Sequence, residues 1–139
     1  MAYAGYLVKI GNYTLPFRYI KAESYKVVRS VTDLDSYRDA DGVLHRTALP
    51  HILYKCEFET PAMLTNSDIA TLMAHIHDNY TNEAERKVNM TIYVPETDSY
   101  VENIPAYIPD INFTIYAADN SQATPILKYN SIRFALIGY

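Results

Sequence analysis

The stretch that decides the fold of this chain is Val27 to Pro61, which reads VVRSVTDLDSYRDADGVLHRTALPHILYKCEFETP. Two arms rich in β-branched and aromatic residues flank a polar, charged segment, and the dipeptide Asp41-Gly42 lies between them. Asp-Gly between strand-like residues is a strong signal for a hairpin, because glycine adopts positive φ without a steric penalty. We therefore predict a long hairpin over residues 27–61 that projects from a small β domain.

The tip of this hairpin is the candidate functional site. It carries both signs of charge next to aromatic residues, which is typical of a surface that pairs with another protein chain. The candidate contact residues are Tyr37, Arg38, Asp39, Asp41, His45 and Arg46. In this interpretation the arginines pair with acidic groups of a neighbouring subunit and the aspartates accept in return. The alternative is a solvated turn whose cross-strand ion pairs contribute little energy.

Length and composition indicate one globular domain over residues 1–139. Hydrophobic residues make up 49% of the chain and charged residues 20%, a balance that argues against disorder. The formal net charge of -4 disfavours a free-standing nucleic-acid binder. The first ten residues lack the features of a signal peptide, and no apolar run approaches the roughly 20 residues that span a bilayer.

One helix is predicted after the hairpin. Thr65 and Asp68 have the spacing of a capping box, and apolar residues follow at helical intervals from Ile69 to Tyr80. We expect the helix over residues 67–79. Its histidines, His75 and His77, are two positions apart and point in different directions, so they are not expected to share a metal.

The remaining segments predict short strands separated by turns. We expect an opening hairpin over residues 6–17, an extended segment over 19–31, and a regular return arm of the long hairpin only after Pro50. Further strands are expected over residues 87–94, 100–108 and 112–116, with a closing strand over 129–137. The predicted fold is mainly β with one helix, a β-sandwich or partly closed barrel with a flanking helix.

Enzymatic and metal-dependent functions find no support in the sequence. The aspartates of the tip do not follow the calcium-loop pattern, since Gly42 comes directly after Asp41 and no glutamate closes the loop. No nucleophile elbow, P-loop, dinucleotide fingerprint or zinc-protease motif occurs. The single cysteine, Cys56, alternates with Tyr54 and Phe58 and is expected to be a buried apolar residue. We predict no catalytic residues, metal ligands or cofactor.

The strings SYRDADGVLHR and KCEFETP, followed by a capped helix, resemble an uncharacterised family of short tail-region proteins of tailed bacteriophages and prophages of Gram-positive hosts. The segment IGNYTLP resembles the N-terminal motif of that family, with Gly11-Asn12 where the family has Asn-Gly. The matching residues are Ile10, Leu15, Pro16, Arg38, Ala40, Gly42, Leu44, Arg46, Phe58, Thr60 and Pro61. The order of elements is similar to tail-tube and baseplate-ring folds.

The resemblance implies a structural protein of the phage tail, made in the host cytoplasm and located in the virion. Its partners would be further copies in a ring and other tail proteins, with DNA passing through the ring without specific binding. The alternative is a carbohydrate- or peptide-binding β module, in which tyrosines such as Tyr93, Tyr100 and Tyr107 would line a groove. A small hydrolase with a dispersed active site ranks last.

Overall fold

The computed structural model describes residues 2–139. Within them one α-helix and ten strands follow one another in the chain. In chain order these are β1 (Val8–Ile10), β2 (Tyr13–Thr14), β3 (Lys26–Arg38), β4 (Leu44–Glu59), β5 (Leu64–Thr65), α1 (Asn66–Asp78), β6 (Lys87–Val94), β7 (Ser99–Tyr107), β8 (Ile115–Asp119), β9 (Ile126–Tyr129) and β10 (Arg133–Gly138).

The strands form two antiparallel sheets. The large sheet has seven strands in the order β2-β1-β6-β7-β10-β4-β3, so β3 forms one of its edges. The small sheet has three strands in the order β5-β9-β8. This architecture confirms the predicted fold class, which was mainly β with one helix and a long projecting hairpin.

The core lies between the large sheet and α1. Strand β6 supplies alternating and then continuous buried side chains, and β4 and β10 contribute the stacked rings of Phe58 and Phe134. The helix buries Ile69, Leu72 and Ile76 against this layer. These three residues recur every three or four positions, so the predicted apolar face of the helix is confirmed.

The helix begins at the predicted capping box. The Thr65 hydroxyl accepts a hydrogen bond from the Asp68 amide (3.3 Å), and the Asp68 carboxylate accepts one from the Thr65 amide (3.1 Å). Arg18 also pairs with the Asp68 carboxylate. These bonds lower the pKa of Asp68, with the Thr65 amide as the largest cause. The helix is displaced by one residue from the predicted range.

The return arm of the hairpin does not stop at Pro50, so the expectation of a strand beginning only after this proline is wrong. Strand β4 continues through Pro50 because the ladder is irregular there. Val31 pairs with Ile52, but Asp33 pairs with Ala48, so one residue of β3 faces three of β4. Proline cannot donate a ladder hydrogen bond, and a bulge is where a strand tolerates it.

The segment before β3 is also less extended than predicted. Phe17–Tyr19 forms a short 3-10 helix, and a turn follows in which Glu23 has a φ of 67°. The Ser24 hydroxyl donates to the Lys21 carbonyl (2.6 Å) and holds this turn against the end of β4. The extended conformation predicted over residues 19–31 therefore holds only from Lys26.

The closing strand, predicted over residues 129–137, begins only at Arg133, because Tyr129 is the last residue of a separate strand in the other sheet. Strand β9 pairs with β5 and β8, whereas β10 pairs with β4 and β7. The chain changes sheet next to Thr60, whose amide donates to the Ile132 carbonyl (2.9 Å). The Ile132 amide in turn donates to the Thr60 hydroxyl (2.9 Å). Periodicity alone does not reveal this transfer, because it does not show which strands pair with each other.

The other strand predictions hold to different degrees. Strand β6 has the predicted bounds, and β7 is irregular opposite Met90 and Ile92, where Asn103 has a φ of 52°. Strand β8 begins three residues later than expected, at Ile115. The opening hairpin is shorter than predicted. Among residues 2–139 no helix has the length and apolar character needed to cross a membrane.

Candidate subunit-contact site

The outer half of the hairpin projects from the large sheet. Strand β10 pairs with β4 only over Lys55–Glu59, and from there to the tip β4 is paired with β3. Every residue from 31 to 51 is exposed. A strand of 16 residues is about three times the usual length, so its outer half extends beyond what the domain can cover.

The tip closes with a three-residue loop. The Gly42 amide donates to the Asp39 carbonyl (2.9 Å), and the Asp39 amide donates to the Val43 carbonyl (3.0 Å). Ala40 and Asp41 occupy the centre of the turn, and Gly42 follows with a φ of 81°. This is a type I turn followed by a left-handed glycine, the common three-residue hairpin connection. The structure thus gives Gly42 the positive φ that the sequence predicts.

Asp39 organises the loop. Its Oδ1 accepts hydrogen bonds from the amides of Asp41 and Val43, each 3.0 Å away, and its Oδ2 lies 2.8 Å from Nε2 of His45. These contacts lower the pKa of Asp39, with the bond to His45 as the largest cause. The Asp39 carboxylate is therefore engaged within its own hairpin.

One face of the outer hairpin is aromatic and apolar. The register pairs Leu34 with Thr47 and Tyr37 with His45, and alternation places these residues on the same side. The rings of Tyr37 and His45 stack with centroids 4.8 Å apart. Leu34 is 52% exposed and Tyr37 is 60% exposed. We call these four residues the apolar hairpin face.

The opposite face carries the charges. Arg46 forms two hydrogen bonds with the Asp33 carboxylate, 2.9 Å from Nε and 2.7 Å from Nη2. This fork lowers the pKa of Asp33 and raises that of Arg46. Arg38 Nη1 donates to the Gly42 carbonyl (2.9 Å). The positive charges and the stacked rings therefore point to opposite sides of the hairpin.

The structure brings all six predicted site residues together at the tip, where each is exposed. It also divides them between the two faces. Within residues 2–139, the Asp41 carboxylate has no hydrogen bond or ion pair, and Arg38 has no acidic partner. These two are the charges of the tip best placed to contact another chain. Their role at a subunit interface stays a prediction.

Sequence reasoning missed the apolar part of this surface. Val31, Leu34, Val43, Leu44 and Leu49 are between 39% and 56% exposed. Their alternation looks like that of an ordinary half-buried strand. The sequence contained one indication that these residues are exposed, which is the combined length of the two arms. A domain of 139 residues cannot cover both arms along their whole length.

The other candidate sites of the sequence do not converge. Within residues 2–139, no group of three or more histidine, cysteine or acidic residues is arranged to hold a metal ion. His75 stacks on Tyr13, with centroids 4.2 Å apart, and His77 lies beside Tyr80. Cys56 is fully buried, and burial raises the pKa of its thiol to about 12.

The tyrosines proposed for a binding groove contact one another instead. Tyr100 stacks on Tyr6 (4.6 Å between centroids) and meets Tyr93 edge-on (5.5 Å), while Tyr107 meets Tyr139 edge-on (5.9 Å). The Tyr100 hydroxyl donates to the Tyr6 carbonyl (2.6 Å). These rings hold the N-terminal and C-terminal segments against the sheet, which leaves fewer open ring faces for a sugar or peptide.

Residues 1–139 match the sequence pattern of a family of unknown function, DUF6711. The chain belongs to this family. No curated protein matches the chain.

Two solved structures share its fold, the tail of an empty gene transfer agent particle with C6 symmetry and the virion of the native gene transfer agent particle. In both, the matched chain is 14% identical with a TM-score of 0.51, and the match covers 99% of this chain and 95% of the other. At this identity the likeness shows a shared fold.

Proposed function

We propose that this protein is a structural component of a phage-type tail, which assembles through subunit contacts into a tail-tube or baseplate ring. The observation that carries the proposal is the hairpin, whose outer half is exposed from residue 31 to residue 51 and presents an apolar face. The fold it shares with chains of gene transfer agent tails supports the same assignment. The role is structural rather than enzymatic, and its place is the virion tail.

The area of the hairpin surface fits a subunit contact. Seven large apolar side chains on the hairpin are about half exposed. They are Val28, Val31, Leu34, Tyr37, Val43, Leu44 and Leu49. They lie on both faces of the hairpin, since Leu44 shares the side of Arg46, so a neighbour that contacts one face covers only part of them. A standard interface takes about 800 Å² from each partner, so the hairpin would supply part of one side.

The charges of the tip would set the register of the contact. Arg38 and Asp41 have no ion partner in their own chain within the described residues, so they are free to pair with a neighbour. Arg46 is paired with Asp33, and Asp39 is paired with His45, so both pairs would contact the neighbour intact. Complementary charges contribute mainly to orientation and partner choice. The bulk of the binding energy would come from the apolar hairpin face.

The proposal is tested by the mass of the purified full chain, measured by light scattering and inspected by negative-stain imaging. We expect rings or stacks of rings. A variant with Leu34→Ser and Tyr37→Ser should remain monomeric with an unchanged far-UV circular dichroism spectrum, because both side chains are exposed in the free chain. The matched control is Ala48→Ser, which changes an exposed residue on the opposite face and should assemble normally.

Two results would contradict the proposal. A wild-type chain that stays monomeric at its highest soluble concentration would contradict its assembly into a ring. Assembly that survives the double substitution would show that the hairpin is not the contact.

A further inference from the structure

A second exposed apolar surface lies on the small sheet. Phe113 is 44% exposed, Ile115 is 52% exposed and Tyr116 is 59% exposed. Strand β8 pairs with β9 along one edge, and among residues 2–139 no strand pairs along its other edge. We call these three side chains and the open edge the β8 surface.

The open edge of β8 is uncharged along most of its length. Its first four residues, Ile115 to Ala118, include no proline and no charge. Strand β8 has one irregularity, between Ile115 and Ala117, and ends on Asp119. The free edge of β3 is irregular at two places and carries the charged side chains Arg29, Asp33, Asp35 and Arg38. Bulges and charges are how native edges avoid pairing with other chains. Strand β8 therefore has fewer of these protections than β3, and its uncharged edge lies beside three exposed apolar side chains that another chain can cover.

A cavity of about 290 Å³ adjoins the β8 surface. It lies between the end of α1 and the segment before β8. Its apolar lining residues are Met73, Tyr80, Ile111 and Phe113, and His77, Glu83 and Arg86 complete the lining. Cavities for small-molecule ligands run from roughly 300 to 1,000 Å³. At about 290 Å³ this cavity is at the lower end of that range and large enough to receive one large side chain of a partner.

The β8 surface and the hairpin tip lie at opposite ends of the molecule. Strand β4 runs from the tip at Leu44 to Glu59, a span of roughly 50 Å for an extended chain of this length. The small sheet is connected just beyond that far end, through the hydrogen bonds between Thr60 and Ile132. A chain therefore cannot place its own tip on its own β8 surface.

We propose that the hairpin of one copy docks on the β8 surface of the next copy, with Tyr37 of the apolar hairpin face against Phe113 and the cavity beside it. This inference rests on the proposed function and names the surface that receives the hairpin. The contact joins two different surfaces of identical chains, so it repeats from copy to copy and closes a ring or extends a stack. It covers both of the exposed apolar surfaces with one interface.

Cross-linking between two variants of the full chain, each with one added cysteine, tests this contact. Thr47→Cys places a thiol on the apolar hairpin face, and Ala118→Cys places one on β8; both positions are exposed. Cys56 does not compete, because it is fully buried. With a short bis-maleimide, we expect cross-linked dimers when the two variants are mixed and little product from either variant alone. Thr47→Cys mixed with Glu102→Cys, exposed but outside both surfaces, is the matched control.

The outcomes separate the two proposals. Efficient cross-linking of Thr47→Cys to itself would indicate a hairpin-to-hairpin contact and overturn the inference. Assembly that needs the hairpin but gives no product in the mixture would overturn the β8 assignment and leave the proposed function standing. A monomeric chain with no product in any mixture would overturn both.

A substitution supplies an independent measurement. Tyr116→Ser removes an exposed aromatic ring from the β8 surface, and aromatic anchors are the residues that dominate binding energy. We expect the dissociation constant between subunits to rise by roughly tenfold or more, with the fold of the free chain retained. Glu102→Ser should leave the constant unchanged. An unaltered constant for Tyr116→Ser would overturn the inference.

Discussion

The turn between β1 and β2 allows a quantitative test of how the sheet is joined to the end of the helix. Gly11 has a φ of 58°, and a Cβ added there would lie 2.2 Å from Oδ1 and 2.8 Å from Cγ of Asn79. The same Oδ1 accepts a hydrogen bond from the Asn12 amide (3.0 Å), and Nδ2 of Asn79 donates to the His75 carbonyl (2.8 Å). Gly11→Ala must therefore strain the backbone and displace the Asn79 side chain.

The two contributions to the free energy of unfolding can be separated. An alanine in the left-handed region costs roughly 1–2 kcal/mol, partly offset because the substitution also restricts the unfolded chain by about 0.4–1 kcal/mol. Moving Asn79 breaks two exposed hydrogen bonds, each near the lower end of about 0.5–1.5 kcal/mol. We expect Gly11→Ala to cost about 2 kcal/mol in the wild-type chain. In an Asn79→Ala background, where the obstruction is absent, it should cost about 1 kcal/mol.

Urea unfolding of the wild type, both single variants and the double variant, followed by far-UV circular dichroism, measures this difference. The two substitutions should show a coupling of about 1 kcal/mol, beyond the roughly 0.5 kcal/mol scatter expected for independent sites. Equal m-values across the four proteins would confirm that the native state is compared with the same unfolded state. If Gly11→Ala cost the same in both backgrounds, the contact with Asn79 would not be the cause of its effect.

Two further predictions concern the sheet junction and the hairpin tip. Thr60→Val keeps the shape of a fully buried side chain but leaves the Ile132 amide without its acceptor. We therefore expect the free energy of unfolding, measured in urea, to fall by about 1–3 kcal/mol. Thr60→Ser, which keeps the hydroxyl, is the control, and a Thr60→Val variant as stable as the wild type would contradict the reasoning. The pKa of the Asp39 carboxyl is lowered in the folded tip. The hydrogen bonds of this carboxylate therefore stabilise the loop fully at pH values above the ordinary aspartate pKa of about 3.9, and this stabilisation is lost as the pH falls through the lowered pKa. In an NMR titration the Val43 amide should shift with a midpoint below about 3.9, and a midpoint at or above that value would show that the carboxylate is not engaged.

Local signals in the sequence predicted the elements whose causes are themselves local. The capping box at Thr65 and Asp68 predicts the start of α1, because both hydrogen bonds form within one turn. Asp41-Gly42 predicts the hairpin, because the left-handed conformation of Gly42 depends on its own missing side chain. The charged residues of the tip were found for the same reason, since they surround that turn.

The candidate site was only half visible from the sequence. Alternation in a strand shows which residues share a face, but it does not show whether that face is covered. Leu34 and Tyr37 look like residues of an ordinary sheet, and they are exposed because the domain ends before the hairpin does. The bulge near Pro50 also changes the register, so the division of the tip into an apolar and a charged face requires the pairing of β3 with β4.

The sequence by itself determined the hairpin, the capped helix and the mainly β character of the chain. Each of these follows from contacts between residues close together in the chain. The tertiary structure alone decided that residues 126–138 divide between two sheets, that β8 has an open edge, and that the hairpin tip and the β8 surface lie at opposite ends of the molecule. Those features depend on contacts such as that between Thr60 and Ile132, which are 72 positions apart. Local periodicity carries no information about pairing over such a distance.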